Sequence, residues 1–302
     1  MHVRKIVFGL LSILLGVPHL TAQTSLIGTW KEGDRFSYVL EDKYSNFYDS
    51  AKLNQKLTLD TNWHVKSVGV DGSALVEVKI EQVRFNADQK GVPAGWEQFS
   101  FDSQNPIEPR NKGEMSTFGA LNAFVGSQMS ITINEKRELS KFLLSEPLAE
   151  HLERNQITLE LAGFYGHTFT TNGMQRRMTS WLIASPPKPV SKGETWCHDQ
   201  ISRYEDLFLG VDTYTLEGPA LWSGQTLSKI SVKSEFKVPD NDTGKQEPKI
   251  SEQSGEGVVY IDERTGRIVD ATLRYHVAQQ SAFGKSSVET TITAKLDPNP
   301  KK

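Results

Sequence analysis

Cys197-His198 is the pair of adjacent side chains that most invites a catalytic reading, that of a thiol nucleophile. A nucleophilic thiol needs an imidazole within hydrogen-bond reach and an acid to orient that imidazole. Neighbours on a strand point to opposite faces, so these two residues cannot serve each other. Cys197 follows Trp196 at a strand start with no basic cluster nearby, which predicts an inert, largely buried thiol. It is the single cysteine of the chain, so no intramolecular disulfide forms.

Metal and phosphate chemistry fare no better. His64, His151, His167, His198 and His276 show neither H-x-x-x-H nor H-E-x-x-H spacing, and none is paired with a second thiol ligand. Asp240-Asn241-Asp242-Thr243-Gly244 opens like a calcium loop, but Lys245 stands where the turn needs Gly and Ser251 where the loop needs a bidentate Glu. Gly284-Lys285-Ser286 ends like a phosphate loop, yet Gln279 occupies the place of the required earlier Gly. Asp102 and Asp262 have the chemistry of a glycosidase pair, although acids at strand ends are common and the sequence sets no separation between them. Ser103 lacks a G-x-S-x-G frame. The expectation is no catalytic residue, no metal and no cofactor.

Aromatic side chains remain. Trp30, Trp63, Trp96, Trp196 and Trp222 lie in β-patterned stretches and Trp181 on a helical stripe. Such rings bury about 150–250 Å² each and mostly anchor cores. A subset lining an apolar groove is the alternative, with Phe118, Met178 and Trp181 as the candidate lining, since methionine adapts to varied apolar shapes.

The elements that must position these residues show period-two alternation: Leu57, Leu59, Trp63, Val65; Ala74, Val76, Val78, Ile80; Ile230, Val232, Phe236, Val238; Val269, Ala271, Leu273, Tyr275; Val288, Thr290, Ile292, Ala294. One apolar and one solvated face is the signature of antiparallel strands. Asp71-Gly72, Thr265-Gly266 and Phe283-Gly284-Lys285 supply hairpin turns. Between the β-rich ends, Met115, Phe118, Leu121 and Val125, and again Met174, Met178, Trp181 and Leu182, fall at helical spacing, and Ser145-Glu146-Pro147-Leu148 reads as a helix start. The organisation expected is a leader over 1–22, a first antiparallel β region over 25–105, a helix-containing segment over 106–184, a Pro-rich linker over 185–192, a second β region over 193–297 and a tail over 298–302. Lys31 to Phe36 resembles Ser191 to Trp196, each placing an aromatic three residues after a Gly, and Ile131 to Leu139 resembles Val259 to Ile268. Either the two β regions are a duplication or charged hairpins simply look alike.

Arg4 and Lys5, the apolar run Ile6 to Leu15, the break at Val17-Pro18 and the small Ala22 have the layout of a secretory signal peptide. The run is shorter than the roughly 18–20 apolar residues of a spanning helix, so no membrane span is expected once it is cleaved. Gln23 stands where a lipoprotein carries its lipidated Cys. Without the leader, 32 Lys+Arg face 37 Asp+Glu, with the signs interspersed, which argues against a nucleic-acid partner.

A Gly-Asp-aromatic strand start, Asp71-Gly72-Ser73-Ala74 running into Val76-Glu77-Val78-Lys79-Ile80-Glu81, Phe101-Asp102-Ser103, and the Pro187-to-Trp196 junction together resemble a family of uncharacterised exported proteins found mainly in planctomycete-like bacteria. Arg137 stands where that family usually has Gly in its first hairpin turn. The resemblance implies a periplasmic or secreted protein and brings no catalytic residues.

The fold class expected is mostly β with a helical middle: one curved antiparallel sheet, or two related ones, as a half-barrel with helices on one face. The function expected is non-enzymatic binding of a lipid or other apolar ligand, or of an envelope protein partner. An exported hydrolase with an unrecognised site and a structural surface component are the alternatives. N-terminal sequencing of the exported protein is expected to begin at Gln23 or within about two residues of it; an intact Met1 on a membrane-bound form would overturn both compartment and class.

Overall fold

The computed structural model describes residues 23–26, 28–48, 51–90, 98–152, 171–182, 185–203, 208–238, 249–281 and 284–298. Its strands are β1 (Arg35–Tyr48), β2 (Ala51–Val68), β3 (Ala74–Lys90), β4 (Gln98–Asp102), β5 (Gln128–Ile133), β6 (Leu139–Leu144), β7 (Thr195–Arg203), β8 (Phe208–Trp222), β9 (Gln225–Lys237), β10 (Lys249–Asp262), β11 (Arg267–Ser281) and β12 (Gly284–Asp297). All pair antiparallel in one sheet of order β6-β5-β3-β2-β1-β12-β11-β10-β9-β8-β7, with β4 beside β3. The sheet is curved and not closed into a barrel. The two β regions therefore share a single sheet, joined where β1 pairs with β12.

Alternation places the apolar side chains on one face. A register row runs Val83, Leu59, Leu40, Ala294, Ala271, Val259, Ile230, Leu216, crossing from β3 to β8, and every member is buried. A face this apolar must be covered, and helices cover the part of it that β3, β4, β6 and β12 form. In α1 (Lys112–Phe124), Asn111 caps the first turn by accepting from the Glu114 backbone N–H at 2.9 Å. Phe118 packs edge-on to Phe99 and tilted against Phe101, at ring separations of 5.2 and 5.3 Å. The buried stripe of α1 is Phe118, Leu121 and Phe124; Met115, expected on it, is 60% exposed because Glu114 and Thr117 take the inward positions instead. Residues 146–152 form α2, which buries Leu148 and Leu152. In α3 (Thr171–Trp181), Met174, Met178 and Trp181 are buried, while Arg177 pairs with Asp42 of β1 at 2.6 Å.

The first of the two sequence matches marks equivalent turns. Before β1, Gly33 donates to Val65 of β2 and Asp34 to Lys31; before β7, Gly193 donates to Leu216 of β8 and Glu194 to Ser191. In each, the acid's carboxylate accepts the backbone N–H three residues earlier, Lys31 or Ser191. Gly33 and Gly193 have φ of 84° and 86°. The β5–β6 and β10–β11 turns share only a left-handed residue, Arg137 at φ 65° and Gly266 at φ 63°, and differ in length: Arg137 N–H donates to the Asn134 carbonyl and Gly266 N–H to that of Asp262.

Cys197 departs from expectation. Trp196 and His198 share the parity of the buried face, so Cys197 lies on the other and is exposed, 3.6 Å from the Thr213 hydroxyl. The Asp71-Gly72 and Thr265-Gly266 turns form as expected; Phe283, Trp96 and the stretch Asp240 to Lys245 lie outside the described residues.

A methyl group added at Gly33 or Gly193 meets no atom within 4 Å, so only backbone conformation opposes it. Gly193→Ala is expected to cost about 1–2 kcal/mol, read as a lowered urea midpoint at unchanged slope; an unchanged midpoint would refute the left-handed turn.

Candidate functional site

The N-terminal segment lies across one end of the sheet. Thr24 and Val190 exchange backbone hydrogen bonds of 2.7 and 3.0 Å, anchoring the segment that carries Trp30 to the Pro-rich stretch. Trp30 stacks on Phe36, and Phe36 on Trp63, each at 5.8 Å between ring centroids, with Tyr38 edge-on to Phe36 and Trp63. Trp63 Nε1–H donates to Thr61 Oγ1, and the Thr61 hydroxyl donates to the Tyr38 carbonyl, whereas the buried Trp30 Nε1–H has no acceptor among the described residues. Trp181 of α3 closes the far side. A crevice of about 50 Å³ remains, floored by Phe36, Tyr38, Trp63 and Trp181 and rimmed by half-buried Trp30 and Arg267.

Two guanidinium groups face these rings. Arg137 lies 4.1 Å from the Trp30 ring centroid and donates to the Gly28 carbonyl. Arg267 lies 4.5 Å from the Phe36 centroid and pairs with Asp34 at 2.8 Å. Burial pulls Arg137 down to about 10, neighbouring Arg267 acts the same way and Tyr38 opposes it; Arg137 is still a cation at neutral pH. Burial pushes the Tyr38 phenol well above its usual range, and its hydroxyl donates to the Ile268 carbonyl at 2.9 Å.

Beside the crevice the open seam of the sheet narrows. His198 of β7 approaches Glu138, in the turn entering β6, at 3.2 Å between Nδ1 and Oε1. Ser185 N–H donates to the Lys136 carbonyl at 2.9 Å. The two edge strands are thus bridged by side chains and turns rather than by a strand ladder.

The candidate lining residues are dispersed. Trp181 lines the crevice, Met178 is buried on the same helix, and Phe118 sits in the separate cluster with Phe99 and Phe101. Trp196 stacks on Tyr214 and Trp222 on Tyr260, away from the crevice. Sequence reasoning missed Trp30, Phe36, Arg137 and Arg267 as neighbours; the one available signal was an arginine at a hairpin position that resembles a glycine position elsewhere.

Acid–base and nucleophilic arrangements have their groups otherwise engaged. His198, Asp212 and Ser234 share one register row, but the carboxylate stands in the middle: Ser234 Oγ donates to Asp212 Oδ1 at 2.5 Å. A serine nucleophile needs the imidazole, not the acid, as its partner. Asp102 accepts from the Gln104 backbone, Asn105 and Gln82, bonds that hold its carboxyl below the usual range. Asp262 is partly desolvated, yet its bonds from Arg264 win and lower it too. A glycosidase acid needs the opposite shift. Among the described residues no group of three or more His, Cys, Asp or Glu could hold a metal ion. A second depression, of about 630 Å³, has a mixed lining in which Ala87, Phe99 and Ile107 stand beside Lys43, Ser45, Asn54, Asn86 and Ser100, and its Ser45–Asn54 and Ser100–Asn86 pairs bond to each other at 2.9 and 2.8 Å.

No family model and no curated protein matches the chain. Among solved structures it is similar to lipovitellin, from a study of lipid–protein interactions, at a TM-score of 0.47 and 8% identity over 90% of this chain and 26% of that one. The chain thus spans about a quarter of the lipovitellin chain. It is also similar to DynF of the dynemicin biosynthesis pathway of Micromonospora chersina, at a TM-score of 0.21 and 8% identity over 97% and 94% of the two chains. An outer membrane channel from Pseudomonas putida F1 gives a TM-score of 0.26 and 6% identity over 90% and 98%. Similarity at this level transfers no function.

Trp181 is 4% exposed, so its ring completes the core as well as lining the crevice. Trp181→Ala is expected to cost roughly 3–5 kcal/mol, seen in a denaturation midpoint; an unchanged midpoint would mean that the indole does not pack as described.

Proposed function

We propose that this chain is an exported, non-enzymatic binding protein that takes a ligand with an apolar body into the crevice between α3 and the buried face of the sheet. The observation that carries this reading is the convergence of Trp30, Phe36, Trp63 and Trp181 around unfilled space with a half-buried rim. Ligand sites are mostly apolar with a few convergent polar groups, which is the composition found here. The leader-like N terminus supports a periplasmic or extracellular setting.

Size sets how such a ligand enters. Sites for small molecules enclose roughly 300–1,000 Å³, and the crevice offers about 50 Å³. Only one end of the ligand enters without rearrangement. The body takes the place of side chains that α3 now presents, and the Arg177–Asp42 pair keeps that helix tethered to β1 as it shifts. A hydrolase reading is weaker, because the acids and hydroxyls that could serve one hold turns or each other.

Native mass spectrometry of the protein isolated from the cells that make it is expected to show a non-covalent adduct of small mass. The neutral dye Nile red is expected to bind the ligand-free protein saturably with a blue-shifted emission. Trp30→Leu is expected to weaken that binding at least fivefold while disturbing stability less than Trp181→Ala. Absence of both the adduct and saturable dye binding would sink the proposal.

A further inference from the structure

Arg137 is 8% exposed, and among the described residues no carboxylate pairs with it. The charges around it are accounted for: Arg267 is a second cation, Asp34 is committed to Arg267, and Glu138 bonds with His198 and Asn134. The crevice therefore holds two guanidinium groups against one carboxylate. A buried cation without a counter-ion is destabilising, since its desolvation is not offset. The backbone adds to the cost, because φ of 65° is a left-handed conformation that side chains other than glycine resist. The left-handed turn does not itself call for arginine: Gly266 supplies a φ of 63° in the β10–β11 turn.

We propose that Arg137, assisted by Arg267, binds the acidic head of a long-chain organic carboxylate whose apolar body follows the Trp30–Phe36–Trp63–Trp181 wall. This deepens the binding function proposed above and rests on it. The guanidinium presents a planar fork that matches a carboxylate, and in a desolvated site the resulting charge-assisted hydrogen bonds are strong. The space admits the head: about 10–15 Å³ of such space suffices for one water molecule, and the crevice of about 50 Å³ has room for a group of carboxylate size. The carboxylate would supply the negative charge that Arg137 lacks, so the cost carried by the empty site becomes affinity in the filled one.

The test compares decanoate with decanol, two probes with the same chain and different heads, titrated against the full protein and followed by tryptophan fluorescence and by thermal unfolding. Decanoate is expected to bind at least tenfold more tightly than decanol and to raise Tm more at equal concentration. In Arg137→Gln the two probes are expected to bind alike, while Arg137→Lys retains part of the preference. Decyl phosphate separates a general anion site from a carboxylate site; equal or tighter binding of it would overturn the carboxylate assignment. Equal binding of decanoate and decanol by the unaltered protein would overturn the head-group proposal but leave the apolar site standing, whereas binding of neither would remove the apolar site itself. If Arg137→Gln fails to fold, the unaltered protein decides through methyl decanoate, whose head carries no charge: binding as tight as that of decanoate would count against a cationic partner.

Discussion

The pairing of the first strand with the last holds this architecture together. β1 and β12 run in continuous register from Ser37 opposite Asp297 to Tyr48 opposite Ser286. Without that ladder the chain would be two smaller curved sheets, each with an extra raw edge of unpaired backbone groups. The buried row through Leu40 and Ala294 would break at its midpoint. The crevice depends on the same join, because β1 contributes Phe36 and Tyr38, β12 contributes Ala294, and Arg267 stands at the start of β11.

Around this join the molecule resolves two opposing demands. A sheet that is apolar along one whole face must be covered, yet its outer edges, β6 and β7, do not pair with each other. The helices fill the covered face with Phe118, Leu121, Leu148, Met174 and Met178, and polar links span the gap between the edges. Some polar groups carried inward are satisfied there, Asp42 Oδ2 by Arg177, Thr61 by the Tyr38 carbonyl and Asp212 by Ser234, while Asp42 Oδ1 and Trp30 Nε1 find no partner among the described residues. Arg137 carries a buried charge that no described carboxylate pairs, and chemistry at that end of the sheet is concentrated on it.

Much of the fold was legible because its signals are local. Alternation in Leu57 to Val65 or Ala74 to Ile80 reports a half-buried strand without knowledge of its partner, and Gly33 and Gly193 report turns that only a left-handed residue closes easily. Whether two β regions make one sheet or two was not legible, since nothing near Ser37 encodes Asp297 as its opposite. Cys197 was misread although its parity was available: a buried Trp196 on one side and an inward His198 on the other leave it facing out. The site was the least legible part. In Asn134-Glu135-Lys136-Arg137-Glu138 the arginine looks like one more solvated charge, and only the N-terminal segment folding across the sheet end buries it. Met115 shows the reverse case, an apolar residue at a helical position displaced to solvent because a salt-bridged Glu114 took the inner place.

The join between β1 and β12 also sets a timetable for the newborn chain. Synthesis delivers β1 well before β12, so Tyr38 waits for Leu296 while the intervening strands are made. Until then β1 has only β2 as a neighbour, and its other side is an open template for strands of foreign chains. Topologies dominated by such distant pairings also fold slowly once complete. The sheet consequently reaches its final form only once β12 is available, and a truncation that removes β12 leaves an adhesive intermediate rather than a smaller version of the same molecule.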